Sequence, residues 1–208
     1  MAYFTKHLPD FDGEIARRVA HDKTRDWSAI RADVKFIGRF SGQIVLDVFF
    51  ALPETQRPFG KMILVGNAGR FRPLVWILDD SNVQLDSSEI KLVQGMSILS
   101  TRCRVAGAGN AYIEDYFVLN PHAPTAMNLR PEIEAAITAE EKSLLPAGCS
   151  VSKGGGFDLS SLKYVNPVWK AGDANCCPSC GRLEITFNLK GGHLVKNEAR
   201  HDPKFKWH

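Results

Sequence analysis

The hydrophobic period changes along this chain. Phe11, Ile15, Ala16 and Val19 recur at helical spacing, which predicts an amphipathic helix over residues 10–20, weakened by Gly13. From Val34 the period is two: Val34, Phe36 and Gly38 alternate with Lys35, Ile37 and Arg39. After Ser41-Gly42 the run from Ile44 to Leu52 is β-branched and aromatic, which completes a hairpin signal. Further strand-like runs lie at residues 61–65, 71–78, 90–93, 97–105 and 111–119. Turn residues separate them at Asn67-Ala68-Gly69, Asp79-Asp80-Ser81-Asn82, Gly95 and Gly107-Ala108-Gly109. Short strands at near-regular spacing, without helical patterns between them, predict an antiparallel sheet folded as a sandwich or partly open barrel.

Asn120-Pro121-His122-Ala123-Pro124 interrupts this series. Pro131 suits the first position of a second helix, and Glu132 and Glu134 favour its positive end. Ile133, Ala136, Ile137 and Leu144 form one apolar face, and Leu145-Pro146-Ala147-Gly148 ends the element. Glu140-Glu141 fall on what reads as its solvated side. After the glycine run Gly154-Gly155-Gly156 comes an irregular stretch and then a last hairpin. There Leu183, Ile185, Phe187 and Leu189 alternate with polar residues, residues 190–192 turn, and His193 to about Asn197 returns. The sequence thus predicts a β-rich α+β protein. Residues 1–120 form a helix plus antiparallel β domain, and residues 121–208 a helix and cysteine-stapled hairpin packed on it as one compact unit.

With 44% hydrophobic residues the chain can furnish a core, which excludes disorder. The 26 basic and 23 acidic residues leave a net charge of +3, too small for a general nucleic-acid binder. Lys196, Arg200, His201, Lys204 and Lys206 read as a solvated tail rather than a basic stripe. The longest apolar run, from Ile44 to Leu52, is broken by Asp47 and falls far short of the ~18 residues a membrane span needs. Met1-Ala2-Tyr3-Phe4-Thr5-Lys6 has neither the charged start nor the apolar middle of an export signal. Two readings follow, a cytosolic chain or the mature form of an exported one, and the cysteines favour the second.

Three of the five cysteines lie in Asn175-Cys176-Cys177-Pro178-Ser179-Cys180. Cys177 and Cys180 with His193 copy three ligands of a zinc finger, but His201 lies too far on for the fourth. If residues 190–192 turn, His193 faces Leu189. Cys180 then lies on the order of 30 Å back along the strand at ~3.3 Å per residue. A Cys177/Cys180/His201 group lacks a fourth ligand, so no metal site is assigned. Cys177-Pro178-Ser179-Cys180 also resembles a thiol-redox motif, but a strand pattern follows where the activating helix N-terminus is needed. The third reading is structural disulfides in an oxidising compartment, with Cys103, Cys149, Cys176, Cys177 and Cys180 as candidates and the pairing open.

The phrase Gly172-Asp173-Ala174-Asn175-Cys176-Cys177-Pro178-Ser179, followed by Gly181-Arg182 and a strand, resembles a C-terminal segment of bacterial exported proteins and lipoproteins of the mycobacterial LppP/LprE type. The likeness covers about fifteen of 208 residues. This chain departs from it in carrying Cys180 where a small residue is expected. The resemblance implies an extracytoplasmic bacterial protein without established enzymatic activity, and it carries over no catalytic residue.

Lys153-Gly154-Gly155-Gly156 lacks the order of a phosphate loop and reads as a turn, so no cofactor is expected. His7, His21 and His122 are dispersed, and no Ser or Cys neighbour suggests a triad. Phe49, Phe50 and Trp76 lie in strand runs and belong to the core. Tyr164, Trp169, Lys170 and Asp173, in the irregular stretch before the cysteines, are the candidate binding residues. The reading is a non-catalytic extracytoplasmic bacterial binding or inhibitory module whose partner is another protein or an envelope component. The alternative is a cysteine-dependent hydrolase or thiol redox protein using Cys177 or Cys180.

Overall fold

The computed structural model describes residues 29–52, 58, 60–67, 70–78, 83–105, 112–120, 126–151, 156–174 and 177–206. The helix expected at residues 10–20 lies outside them. Among the described residues the chain is β-rich, with antiparallel sheets and one helix. It divides into two compact units, Met1–Lys91 with Ser97–Met127, and Leu92–Met96 with Asn128–His208.

In the first unit β1 (Arg31–Phe40), β2 (Gln43–Ala51), β3 (Gly60–Asn67) and β4 (Arg70–Leu78) form one antiparallel sheet in sequence order. The first hairpin closes on Ser41 and Gly42, both at positive φ, the backbone that a tight two-residue turn requires. A second sheet holds β5 (Val83–Leu85), β6 (Glu89–Val93), β7 (Met96–Val105), β8 (Tyr112–Leu119) and β9 (Ala126–Asn128), with β5 and β6 both paired to β7. Val45, Ile63, Val65 and Val75 of the first sheet share a core with Leu99 and Leu119 of the second. Val48, Phe50, Met62 and Leu64 form another cluster with Ile30 and Leu52. β2 and β3 are therefore buried on both faces, which is why residues 62–65 read as an unbroken apolar run rather than an alternation.

In the second unit α1 (Arg130–Leu144) carries Pro131 in its first turn, as the sequence predicts. The Asn128 side chain accepts the Arg130 N–H at 2.9 Å. Glu132 accepts the Leu194 N–H at 2.6 Å and holds His193 Nδ1 at 2.7 Å. The expected solvation of Glu140-Glu141 is corrected here. Glu140 is buried and bonded to Lys196 and Ser143, and Glu141 accepts the Val151 N–H at 2.7 Å. The two carboxylates dock the helix instead of facing water.

β10 (Cys149–Ser150) pairs with β13 (Trp169–Lys170), while β11 (Gly156–Asp158), β12 (Lys163–Pro167), β14 (Arg182–Lys190) and β15 (His193–Asp202) form an antiparallel sheet in that order. Two expectations change. The stretch before the cysteines contains three short strands, too brief to show a period. The last turn is Gly191-Gly192 alone, so His193 faces Lys190, not Leu189, and the returning strand runs to Asp202. The supposed basic tail is largely a paired strand. Leu183, Ile185, Phe187 and Leu189 form the buried face of β14, and Phe187 meets Phe157 edge to face at 5.8 Å.

Candidate functional site

The candidate binding residues sit where β12 and β13 lead into the cysteine loop, and they divide into two kinds. Tyr164 and Trp169 are each only 7% exposed. Tyr164 faces Ile185 across the sheet and its hydroxyl accepts from Asn166 Nδ2 at 2.7 Å. Burial pushes its pKa up to about 12, with the Glu141 carboxylate adding to the rise and the Asn166 bond opposing it. Both rings are therefore buried, and the surface of the loop belongs to its other residues. Lys170 is exposed, and the loop beyond it carries exposed Ala171, Gly172, Ala174, Cys177 and Ser179.

Asp173 organises that loop. Its carboxylate accepts the Lys170 N–H at 2.7 Å, the Ser179 N–H at 2.8 Å and the Ser179 hydroxyl at 2.8 Å. These bonds, that of Lys170 foremost, hold its carboxyl below the usual range. The loop ends are joined by reciprocal bonds of 3.0 Å, Cys180 N–H to Val168 C=O and Val168 N–H to Gly181 C=O. Cys180 is also bridged to Cys149, a partner 31 residues earlier in the chain. Gly181 has a φ of +85°, and a Cβ there would lie 2.1 Å from the Asp202 carbonyl oxygen, so only glycine fits.

The bridge is the chemistry of an oxidising compartment. It also occupies the sulfur that either a zinc site or a dithiol at Cys177 and Cys180 would use. β14 follows Cys180, so no helix N-terminus lies behind it to lower a thiol pKa. His193 sits at the far end of the hairpin opposite Lys190, whereas His201 Nε2 donates to the Cys180 carbonyl at 2.7 Å. Cys103 lies in β7, opposite Ile113 and Leu85, and Cys176 falls outside the described residues.

On the other face of the second unit's sheet, Glu184 is buried among Lys163 at 3.0 Å, Arg182 at 2.8 Å and Arg200 at 2.6 Å. Burial alone would raise its pKa, but hydrogen bonds from Lys163 and Arg200 and the charges of Lys163 and Arg182 hold it below the ordinary range. Arg182 stacks on the Phe205 ring at 4.0 Å. These cations are occupied by their own carboxylate, which makes the group a structural ion cluster.

Sequence reasoning missed one constellation, in the first unit. Asp47 and Lys61 have no exposed surface and Ser88 is 6% exposed. Asp47 accepts the Ser88 N–H at 2.5 Å and its hydroxyl at 3.0 Å; Lys61 Nζ donates to the Ser88 hydroxyl at 2.9 Å and to the Asp86 carbonyl at 2.6 Å. The two charges are 4.0 Å apart. Ser88 also lines a cleft of about 360 Å³ with Asp86, Ser87, Glu89, Ser100 and Arg102. A serine beside a lysine invites a nucleophile–base reading, but Lys61 Nζ donates to the Asp86 carbonyl and to the Ser88 hydroxyl, and the Ser88 N–H that would serve an oxyanion is taken by Asp47. The arrangement pins the segment after β5 onto the first sheet. Asp47 was legible only as a polar break in an apolar run, and Lys61 only as the polar start of another.

Comparison with known proteins gives no relative from which to transfer a role: no family model, curated protein or solved structure matches this chain. Among the described residues no helix is long and apolar enough to cross a membrane, and no group of three or more His, Cys, Asp and Glu is placed to hold a metal ion.

Proposed function

We propose that this protein is a non-catalytic binding or inhibitory module of the bacterial envelope, acting in the periplasm or outside the cell on another protein or an envelope component. The observation that carries the reading is the cysteine loop: a polar, exposed segment tied at its base by Cys149–Cys180 and across its middle by Asp173. Recognition segments are characteristically loops fixed to rigid scaffolds, because an ordered loop loses less entropy on binding. Lys170 supplies the exposed charge and Asp173 the shape, while Tyr164 and Trp169 are buried in the strands that lead into the loop. The resemblance of the same segment to exported bacterial proteins supports the compartment.

The test is capture from envelope extract with wild type, Lys170→Glu and a surface control in the first unit, Lys91→Glu, side by side. A specific partner is recovered by wild type and control and lost with Lys170→Glu. Equal recovery by all three would remove the loop from the interface. A fully reduced mass for protein isolated from its native compartment would remove the export reading.

A further inference from the structure

Among the described residues β1 is an edge strand of the first unit's sheet. It is ten residues long and pairs on one side with β2; among the described residues nothing pairs with its other edge. Residues 31–36 are exposed, and Val34 and Phe36 are 46% and 64% exposed, the second a large apolar side chain in open solvent. The register with β2 sets Ala32 beside Phe50, Val34 beside Val48 and Phe36 beside Leu46, so the three form an apolar strip on one face. Asp33, opposite Phe49, and Lys35, opposite Asp47, lie on the other face. A long edge strand with an exposed apolar face is a template for another strand unless something blocks it.

We propose that β1 is the contact of a two-fold homodimer, pairing antiparallel with β1 of a second copy about an axis through Val34. The sequence of the strand is complementary to itself in that register. With Val34 facing Val34, Ala32 faces Phe36 and the apolar strips of both copies run together on one side. On the other side Asp33 faces Lys35 of the second copy and Lys35 faces its Asp33, two symmetric ion pairs. An axis through Lys35 would set Lys35 against Lys35 and Arg31 against Arg39. One through Asp33 would oppose two carboxylates. An axis on either side of Val34, between residues 33 and 34 or between 34 and 35, would put Val34 against a charge. The irregularity between Phe36 and Gly38 bounds the paired stretch on its C-terminal side, leaving the self-complementary residues inside it. The edge groups of β1 that now face water would enter a sheet ladder continuous through both copies.

The experiment is sedimentation velocity of the full chain at roughly 1 to 100 µM, with three variants. Wild type should sediment at twice 23.1 kDa at the upper end of this range. Val34→Lys, which sets two ammonium groups face to face on the axis at a half-exposed position, should be monomeric with an unchanged circular dichroism spectrum and melting temperature. Asp33→Lys should weaken association about tenfold by opposing two lysines twice, and Asp33→Lys with Lys35→Asp should restore it to within about threefold. Wild type monomeric throughout overturns the proposal, and so does a dimer that survives Val34→Lys. A charge swap that fails to rescue overturns the register, and an open series of larger species overturns the closed two-fold.

Discussion

Asp47→Ala tests whether the buried pin of the first unit is what holds the chain after β5 to its sheet. The substitution removes the carboxylate 4.0 Å from the Lys61 ammonium, which has no exposed surface, and deprives the Ser88 N–H of an acceptor 2.5 Å away. Breaking a buried pair from one side costs about 3–5 kcal/mol, and an orphaned buried N–H about 1–3 kcal/mol. The two overlap, because both are counted from the loss of one carboxylate, so the expected loss is about 4 kcal/mol. With a urea m-value of about 2 kcal/mol/M the unfolding midpoint of this unit falls by about 2 M. Because the chain has two units, a single global curve mixes them. Hydrogen exchange of peptides from β2 and β3 against urea reads the first unit directly. Replacing both partners, Asp47→Leu with Lys61→Met, removes the stranded charge and should cost at least about 2 kcal/mol less than Asp47→Ala alone. A single-variant loss under about 1 kcal/mol, or no relief in the double variant, would show that the two charges are not coupled as described.

Three further outcomes are expected in the second unit. Replacing Cys149 and Cys180 with serine releases a constraint on a closed loop of 31 residues, worth about 3–4 kcal/mol in chain entropy, seen as a lower midpoint matched by reduced wild type. Trp169→Ala should cost about 3–5 kcal/mol because the ring is core, while Trp169→Phe costs markedly less, since the buried indole N–H has no hydrogen-bond partner. Acid weakens this unit. Asp158, drawn from 3.8 to about 2 chiefly by the Ser160 and Ser161 hydroxyls, together with Glu184 and Asp173, is held lower in the fold than in the unfolded chain. Their stabilisation is complete above the unfolded values, near 4 to 4.5, and is lost as pH falls through the folded ones. Melting temperatures should therefore drop below about pH 4.5, less steeply in Glu184→Gln.

What was legible in the sequence follows how locally each element is determined. The hairpin at Ser41-Gly42 and the helix from Pro131 are written by turn and first-turn residues that act within a few positions, and both are found. β14 shows its alternation because one face is buried and one polar. β10, β11 and β13 span two or three residues and exist because longer-range partners hold them, so periodicity cannot show them. Glu140 and Glu141 looked solvated because a helix pattern does not reveal what docks on its polar side; here Lys196 and the Val151 N–H do. Tyr164 and Trp169 looked like surface recognition residues because their strands were unseen. In the candidate site the cysteine cluster drew attention correctly, but its partner Cys149 stood among equals until the β10–β13 pairing brought it to Cys180.

The residues that frame the cysteine loop acquire a physical meaning once its backbone is seen. Gly172 takes a φ of +95°, Asp173 collects Lys170 and Ser179, Cys180 reaches Cys149, and Gly181 lets the chain pass Asp202 at a distance no side chain allows. Every one of these is a device for shaping backbone, and none is a nucleophile, a proton carrier or an unsatisfied ligand. A frame built from such residues is a way of presenting a loop. It leaves the identity of what is bound to the exposed positions between them, which are the ones that can vary without disturbing the frame.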